Sequence, residues 1–176
     1  MTGVQTCALP ISEAAYAPFI ATLRANMRHS GALRIDHVMG LLRLYWVPPE
    51  ASPEQGAYVR YPLEDLLGIV ALESQRNRCM VIGEDLGTLP EGLDEHLKAA
   101  GVLSYRLLLF EKDADGGFKA PAAYPEQALA AASTHDLPTL RSFWRGYDLD
   151  VRSQLHLYPS ETLRAQQVME RAQDRA

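Results

Sequence analysis

The sequence lacks any apolar stretch of about 18 residues, the length a membrane-crossing helix needs. Its longest apolar runs, such as Leu107 to Phe110, are strand-sized. It also lacks a run of like charges, and its formal net charge is −5. Nucleic acid and acidic membrane surfaces are bound through clustered Lys and Arg, so both are excluded as expected partners, and a neutral substrate suits such a surface. Cysteine is scarce: Cys7 and Cys79 make no disulfide framework in a chain of 176 residues, which points to a reduced compartment and a cytoplasmic location. Cys79 sits in the apolar run Cys79-Met80-Val81-Ile82, where a thiol behaves as a small buried hydrophobe. No His-x-His or His-Glu-x-x-His spacing occurs, and there is no short internal repeat or low-complexity tract.

What is present is an ordinary globular composition, 47% hydrophobic and 22% charged, long enough to bury one core. Residues 1–11 resemble the translation of a sequencing-library adapter and are set aside as non-native, Cys7 included. They have neither the positive start nor the apolar stretch of about 7 to 15 residues of a signal peptide. Residues 12–176 are therefore the segment that carries fold and function.

Along that segment Tyr16, Phe19, Ile20, Leu23 and Met27 recur at helical spacing, with Pro18 in the first turn. Gly31 to His37 is a short strand ending in titratable groups, and a long connection rich in proline and aromatics follows to Tyr61. Pro62 opens a second helix with Leu63, Leu66, Leu67 and Val70 on one face. The continuous apolar run Met80 to Gly83 reads as a strand buried on both faces, again ending in acids, Glu84 and Asp85. A helix from Pro90 to about Ala100, a strand in the run from Leu103 to Phe110, a loop, and an Ala-rich strand from Ala128 to Ser133 complete the order, before a mostly helical tail from Val151. Helices alternating with strands predict a parallel α/β architecture.

In a parallel α/β barrel the chemistry gathers at the carboxyl ends of the strands. Three strand ends carry acids here: Arg34-Ile35-Asp36-His37, Gly83-Glu84-Asp85-Leu86-Gly87 and Thr134-His135-Asp136. A retaining glycosidic mechanism needs two carboxyl groups about 5 to 5.5 Å apart, one to attack and one to protonate the leaving oxygen. Arg34, two residues from Asp36 on a strand, shares its face and favours the ionised attacker. Glu84 is expected to keep its proton where it is partly desolvated and faces a second negative charge such as Asp36. Hydrolysis at a metal centre is the competing chemistry, since His37, Asp85 and His135 are also ligand types. Neighbours on a strand point to opposite faces, so Asp36 and His37 do not readily hold one ion.

These three segments resemble the motifs of the amylomaltases, the 4-alpha-glucanotransferases of glycoside hydrolase family 77. Leu33-Arg34-Ile35-Asp36-His37-Val38-Met39-Gly40 is similar to the nucleophile motif, Val81-Ile82-Gly83-Glu84-Asp85-Leu86-Gly87 to the acid/base motif, and Ser133-Thr134-His135-Asp136-Leu137-Pro138-Thr139 to that of the third carboxylate. Gly56 to Pro62 and Ala122 to Gln127 also look like bacterial members, so the resemblance runs from about Ala14 to about Tyr158.

The resemblance implies a partial (β/α)8 TIM barrel, approximately strands four to seven with their helices. It implies Asp36 as nucleophile, Glu84 as acid/base and Asp136 as the carboxylate steadying the donor sugar, with Arg34 and His135 assisting. The implied reaction moves alpha-1,4-glucan segments from a maltooligosaccharide donor to an acceptor sugar, with no metal or organic cofactor. Because transfer requires the acceptor to outcompete water, Tyr45, Trp46, Tyr58 and Tyr61 are candidate sugar platforms, packing of their loop being the other reading of each. His37 reads as structural, and Asp85 as bonded to loop amides through Gly87. An alpha-amylase-like retaining hydrolase uses similar carboxylates and stays open beside the transferase. So does an inactive fragment, because strands four to seven alone leave sheet edges exposed.

Overall fold

The computed structural model describes residues 14–175. Residues 1–11, with Cys7, lie outside the described residues. The chain divides into two compact units, the first running to Tyr105 and including Gln127–Leu129, the second made of Arg106–Glu126 and Ala130–Ala176.

In the first unit, the helical spacing after Tyr16 becomes α1 (Ala17–Met27), which buries Leu23 and Met27. Strand β1 (Ala32–Ile35) follows, then a single 3-10 turn (Val38–Leu41) whose Val38, Met39 and Leu41 are buried. The stretch expected as an irregular connection contains an antiparallel pair, β2 (Arg43–Trp46) with β3 (Ala57–Arg60), in which Tyr45 lies opposite Tyr58. Its β-branched and aromatic residues carry strand propensity, but the prolines at 48, 49 and 53 between the strands hide the pattern in sequence.

Helix α2 (Leu63–Asn77) turns Leu66, Leu67 and Val70 inward, as their spacing requires. Strand β4 (Met80–Gly83) then pairs with β1 in parallel, Ala32 opposite Met80 through Ile35 opposite Gly83. Met80 itself is exposed, so the run is buried only from Val81 onward. Helix α3 (Leu93–Ala99) begins three residues later than Pro90 suggested, because Gly92 takes a left-handed conformation (φ 76°) just before it. Leu103 adds to the parallel sheet beside Ile82. Strands β5 (Ser104–Leu107) and β6 (Ala128–Ala131) pair with each other, and the division between the units falls within both.

The core of this unit joins Leu23 and Met27 of α1, Val38 and Met39 of the turn, Leu66, Leu67 and Val70 of α2, and Val81 of β4. Leu93, Leu97 and Val102 close it, and Cys79 is buried among them. Burial pushes the Cys79 thiol above its ordinary range, which keeps it an inert hydrophobe.

Among the described residues, the second unit joins the strand ends and a long loop to three α-helices. Leu108–Phe110 leaves the strand as a turn, and Asp113 Oδ1 accepts from the amides of Asp115 and Gly117 in the loop beyond. Thr139 caps α4 (Leu140–Arg145) and Ser160 caps α6 (Glu161–Gln173), each side chain accepting an amide of the first turn at 3.2 Å. Between them lies α5 (Tyr147–Gln154). The buried Arg171 on α6 ties all three: it holds Asp148 with two bonds of 2.7 and 2.9 Å, donates to the Phe143 carbonyl at 2.6 Å, and lies over the Phe143 ring. Among the described residues no helix is long and apolar enough to cross a membrane.

A charged tie between α1 and α2 is made by Glu73, whose side chain is only 2% exposed and receives Arg24 at 2.7 and 2.8 Å and Arg76 at 3.0 Å. The bonds from Arg24, and secondly from Arg76, hold its carboxyl down to about 2 from the ordinary 4.5. The unfolded chain then binds the proton first, so this contribution is complete above pH 4.5 and is lost as pH falls toward 2. Glu73→Gln is expected to lower stability at neutral pH by about 2 kcal/mol and to flatten that acid limb. Urea melts between pH 2 and pH 7 measure both.

Candidate active site

The site is built by strand register. Because Ile35 lies opposite Gly83 in the parallel pair, Asp36 and Glu84 are the next residues out on neighbouring strands. Such strands run about 4.8 Å apart, so two side chains projecting from one such pair stay close. Asp36 is 75% exposed, and Arg34, on the same face, sits with Nη2 2.8 Å from its Oδ1. At that exposure the ion pair is worth little as stability, and its consequence is orientation.

Glu84 is half-buried, and what meets it is backbone. Its Oε2 accepts the amide of His37 at 2.9 Å and its Oε1 the amide of Leu86 at 2.8 Å. Two main-chain bonds reinforce the link, from Glu84 N–H to the Ile35 carbonyl at 2.8 Å and from Val38 N–H to the Glu84 carbonyl at 2.9 Å. His37 reaches this position in a left-handed conformation, φ 45° and ψ 60°. Glycine at position 83 suits the same packing: a Cβ there would lie 3.0 Å from Val38 and 3.1 Å from Val102, so both would have to give way.

Asp85, next to Glu84, points the other way and is buried. Its Oδ1 accepts the amide of Tyr105 on β5 at 2.8 Å, a partner that the expected bonding to loop amides through Gly87 did not include. That strand step needs an acceptor, because the amide of buried Tyr105 lies away from water. The Tyr105 ring in turn lies under the Arg34 guanidinium, 5.1 Å from its centroid. Asp85, Tyr105 and Arg34 thus form a relay of contacts ending at Asp36. Tyr105 was missed in the sequence; the polar–apolar alternation of Ser104-Tyr105-Arg106-Leu107 is the signal for it, and Tyr105 and Leu107 are buried accordingly.

The aromatic candidates divide. Tyr58 is 61% exposed, Tyr45 meets it edge to face at 5.1 Å, and Arg43 covers one face of the Tyr58 ring. Tyr45 is fixed by its hydroxyl on the Pro53 carbonyl at 2.6 Å. Trp46 donates from Nε1 to the Tyr61 hydroxyl at 2.8 Å, and Tyr61 packs on the core.

Asp136 belongs to the second unit and differs from the other two acids in its setting. It stands in a turn five residues beyond the last residue of β6, its amide bonded to the Thr134 hydroxyl at 3.2 Å. The expected common placement at strand ends therefore holds for Asp36 and Glu84, while the chain after Ala131 leaves strand conformation before it reaches Asp136. His135 Nε2 is 3.2 Å from Asp136 Oδ2, and both side chains are exposed. A cavity of about 1010 Å³ in this unit, lined by Lys112, Asp148, Arg152 and Arg171 among others, includes neither of them. Among the described residues no three His, Cys, Asp or Glu side chains gather as metal ligands would.

Fold and site together define an α/β protein with two carboxylates at the ends of paired parallel strands, beside a fixed arginine. A family model described as 4-alpha-glucanotransferase, glycoside hydrolase family 77, matches residues 10–176. A 4-alpha-glucanotransferase of Haemophilus influenzae is 46% identical over 149 residues, covering 85% of this chain and 21% of the relative. One of Mycobacterium bovis is 42% identical over 154 residues, with 84% and 21% covered. Among solved structures, the amylomaltase of Corynebacterium glutamicum superposes with a TM-score of 0.83 at 34% identity, over 92% of this chain and 23% of that one. The chain belongs to the glycoside hydrolase 77 family of 4-alpha-glucanotransferases. It spans about a fifth of the length of the curated relatives it matches.

The Asp85 bond is open to a direct test. Asp85→Ala leaves the Tyr105 amide buried and unsatisfied, and is expected to cost about 2 to 3 kcal/mol. Denaturant titration measures it.

Proposed function

We propose that residues 12–176 form the middle of the catalytic (β/α)8 barrel of a 4-alpha-glucanotransferase, about strands four to seven, and carry its reacting groups. The observation that carries this reading is the in-register pairing of β1 and β4, with Asp36 and Glu84 first beyond the strand ends and Glu84 bonded to the amide that follows Asp36.

In the proposed reaction an Asp36 oxygen attacks the anomeric carbon of an alpha-1,4-glucan donor. The glycosidic bond breaks as Glu84 gives its proton to the departing oxygen, leaving a glucan ester on Asp36. The 4-hydroxyl of an acceptor sugar then attacks that carbon, Glu84 takes its proton, and the ester bond breaks. Arg34 keeps Asp36 aimed. The role of Asp136 in steadying the donor sugar, with His135 beside it, rests on motif resemblance alone. No step needs a metal or organic cofactor.

The exposed Tyr45 and Tyr58 suit an acceptor platform, since an apolar ring face matches the C–H face of a sugar. Trp46 and Tyr61, bonded to each other, suit the support of that platform. The hydrolase alternative shares the carboxylates, and membership of a transferase family weighs against it.

Incubating the full-length enzyme containing these residues with maltotriose separates the two readings. Longer oligosaccharides together with glucose are expected, whereas reducing-end gain without elongation would assign a hydrolase. Glu84→Gln is expected to lower kcat by about 10² to 10⁴-fold, and Asp36→Asn by at least as much, as measured by glucose release.

A further inference from the structure

Two observations at the site are unused by the reaction as written: the left-handed backbone of His37, and the bond from its amide to Glu84. A side chain in that region is uncommon, although His, Asn and Asp enter it more readily than most residues and glycine enters freely. Such a conformation persists only where the surroundings impose it. Here the chain leaves β1, passes Asp36, and must bend at once into the 3-10 turn whose Val38 packs on Gly83. The bend turns the His37 N–H onto Glu84 Oε2, while Leu86 N–H holds Oε1. With both oxygens anchored, the plane of the carboxyl is set, and so is the direction in which it can deliver a proton.

We infer that His37 is a positioning residue, acting through its left-handed main chain to aim the Glu84 carboxyl relative to Asp36, its imidazole being dispensable. The inference rests on the glucanotransferase reading above. It predicts an order among substitutions that follows backbone tolerance: His37→Gly and His37→Asn keep most of the transfer rate, His37→Ala loses more, and His37→Val loses about 100-fold in kcat, the scale of an ångström's misplacement. KM for maltotriose stays within about threefold throughout, since no binding surface is removed.

The test is steady-state transfer from maltotriose by the full-length enzyme and these four variants, with a thermal melt of each. A second donor, a maltosyl fluoride, sorts out which carboxylate is affected, because fluoride departs without needing a proton. First-turnover fluoride release by His37→Val is expected within about fivefold of the unsubstituted enzyme, the deficit reappearing with maltotriose. Equal losses in all four variants would assign the function to the imidazole and overturn the inference. An equal deficit with both donors would place the effect on Asp36 and overturn it as well, as would four fully active variants. Should His37→Val fail to fold, His37→Ala against His37→Gly carries the same comparison. An unsubstituted enzyme that releases glucose without elongation defeats the transferase reading and leaves the order of variants readable in hydrolysis. One with no activity on any glucan defeats both.

Discussion

The parallel pairing of β1 with β4 is the constraint on which the site depends. Its register sets Ile35 against Gly83 and thereby Asp36 beside Glu84, two residues that are 48 positions apart in the chain. A slip of one residue would exchange the faces of the strand, because side chains alternate. Glu84 and Asp85 show what is at stake. They are neighbours of the same charge, yet one stands at the site and the other is buried against β5.

Much of the first unit can be understood as holding that register. Val38 and Val102 close on Gly83 from two sides, so the strand end cannot shift without opening the core. Helices α1 and α2 cover the sheet and are joined by Glu73, whose two arginines satisfy a carboxylate that burial alone would disfavour. Asp85 fixes Tyr105, whose ring supports the arginine beside Asp36. Each of these is a structural contact, and the last ends at Asp36, the proposed nucleophile.

The elements were legible where one signal dominated. The apolar spacing of α1 and α2 and the strand ends bearing Asp36 and Glu84 needed no tertiary information, since periodicity and motif agreed. The β2–β3 pair was not legible, because proline-rich sequence between Trp46 and Gly56 masks two short strands that exist by pairing with each other. The start of α3 was displaced by Gly92, whose conformation depends on the turn it must make. Asp136 shared its neighbours' strand-end pattern in sequence but stands in a turn, because Ala131 ends the strand early.

By itself the sequence determined which residues match the family's motifs and the family to which the chain belongs, because the carboxylates and the arginine are written locally in short motifs. Only the tertiary structure decided how Glu84 is held, by the amides of His37 and Leu86, and that Asp85 meets the amide of Tyr105. The reason is physical: a motif specifies side chains, whereas a backbone amide acquires a partner only when strands distant in sequence meet in register.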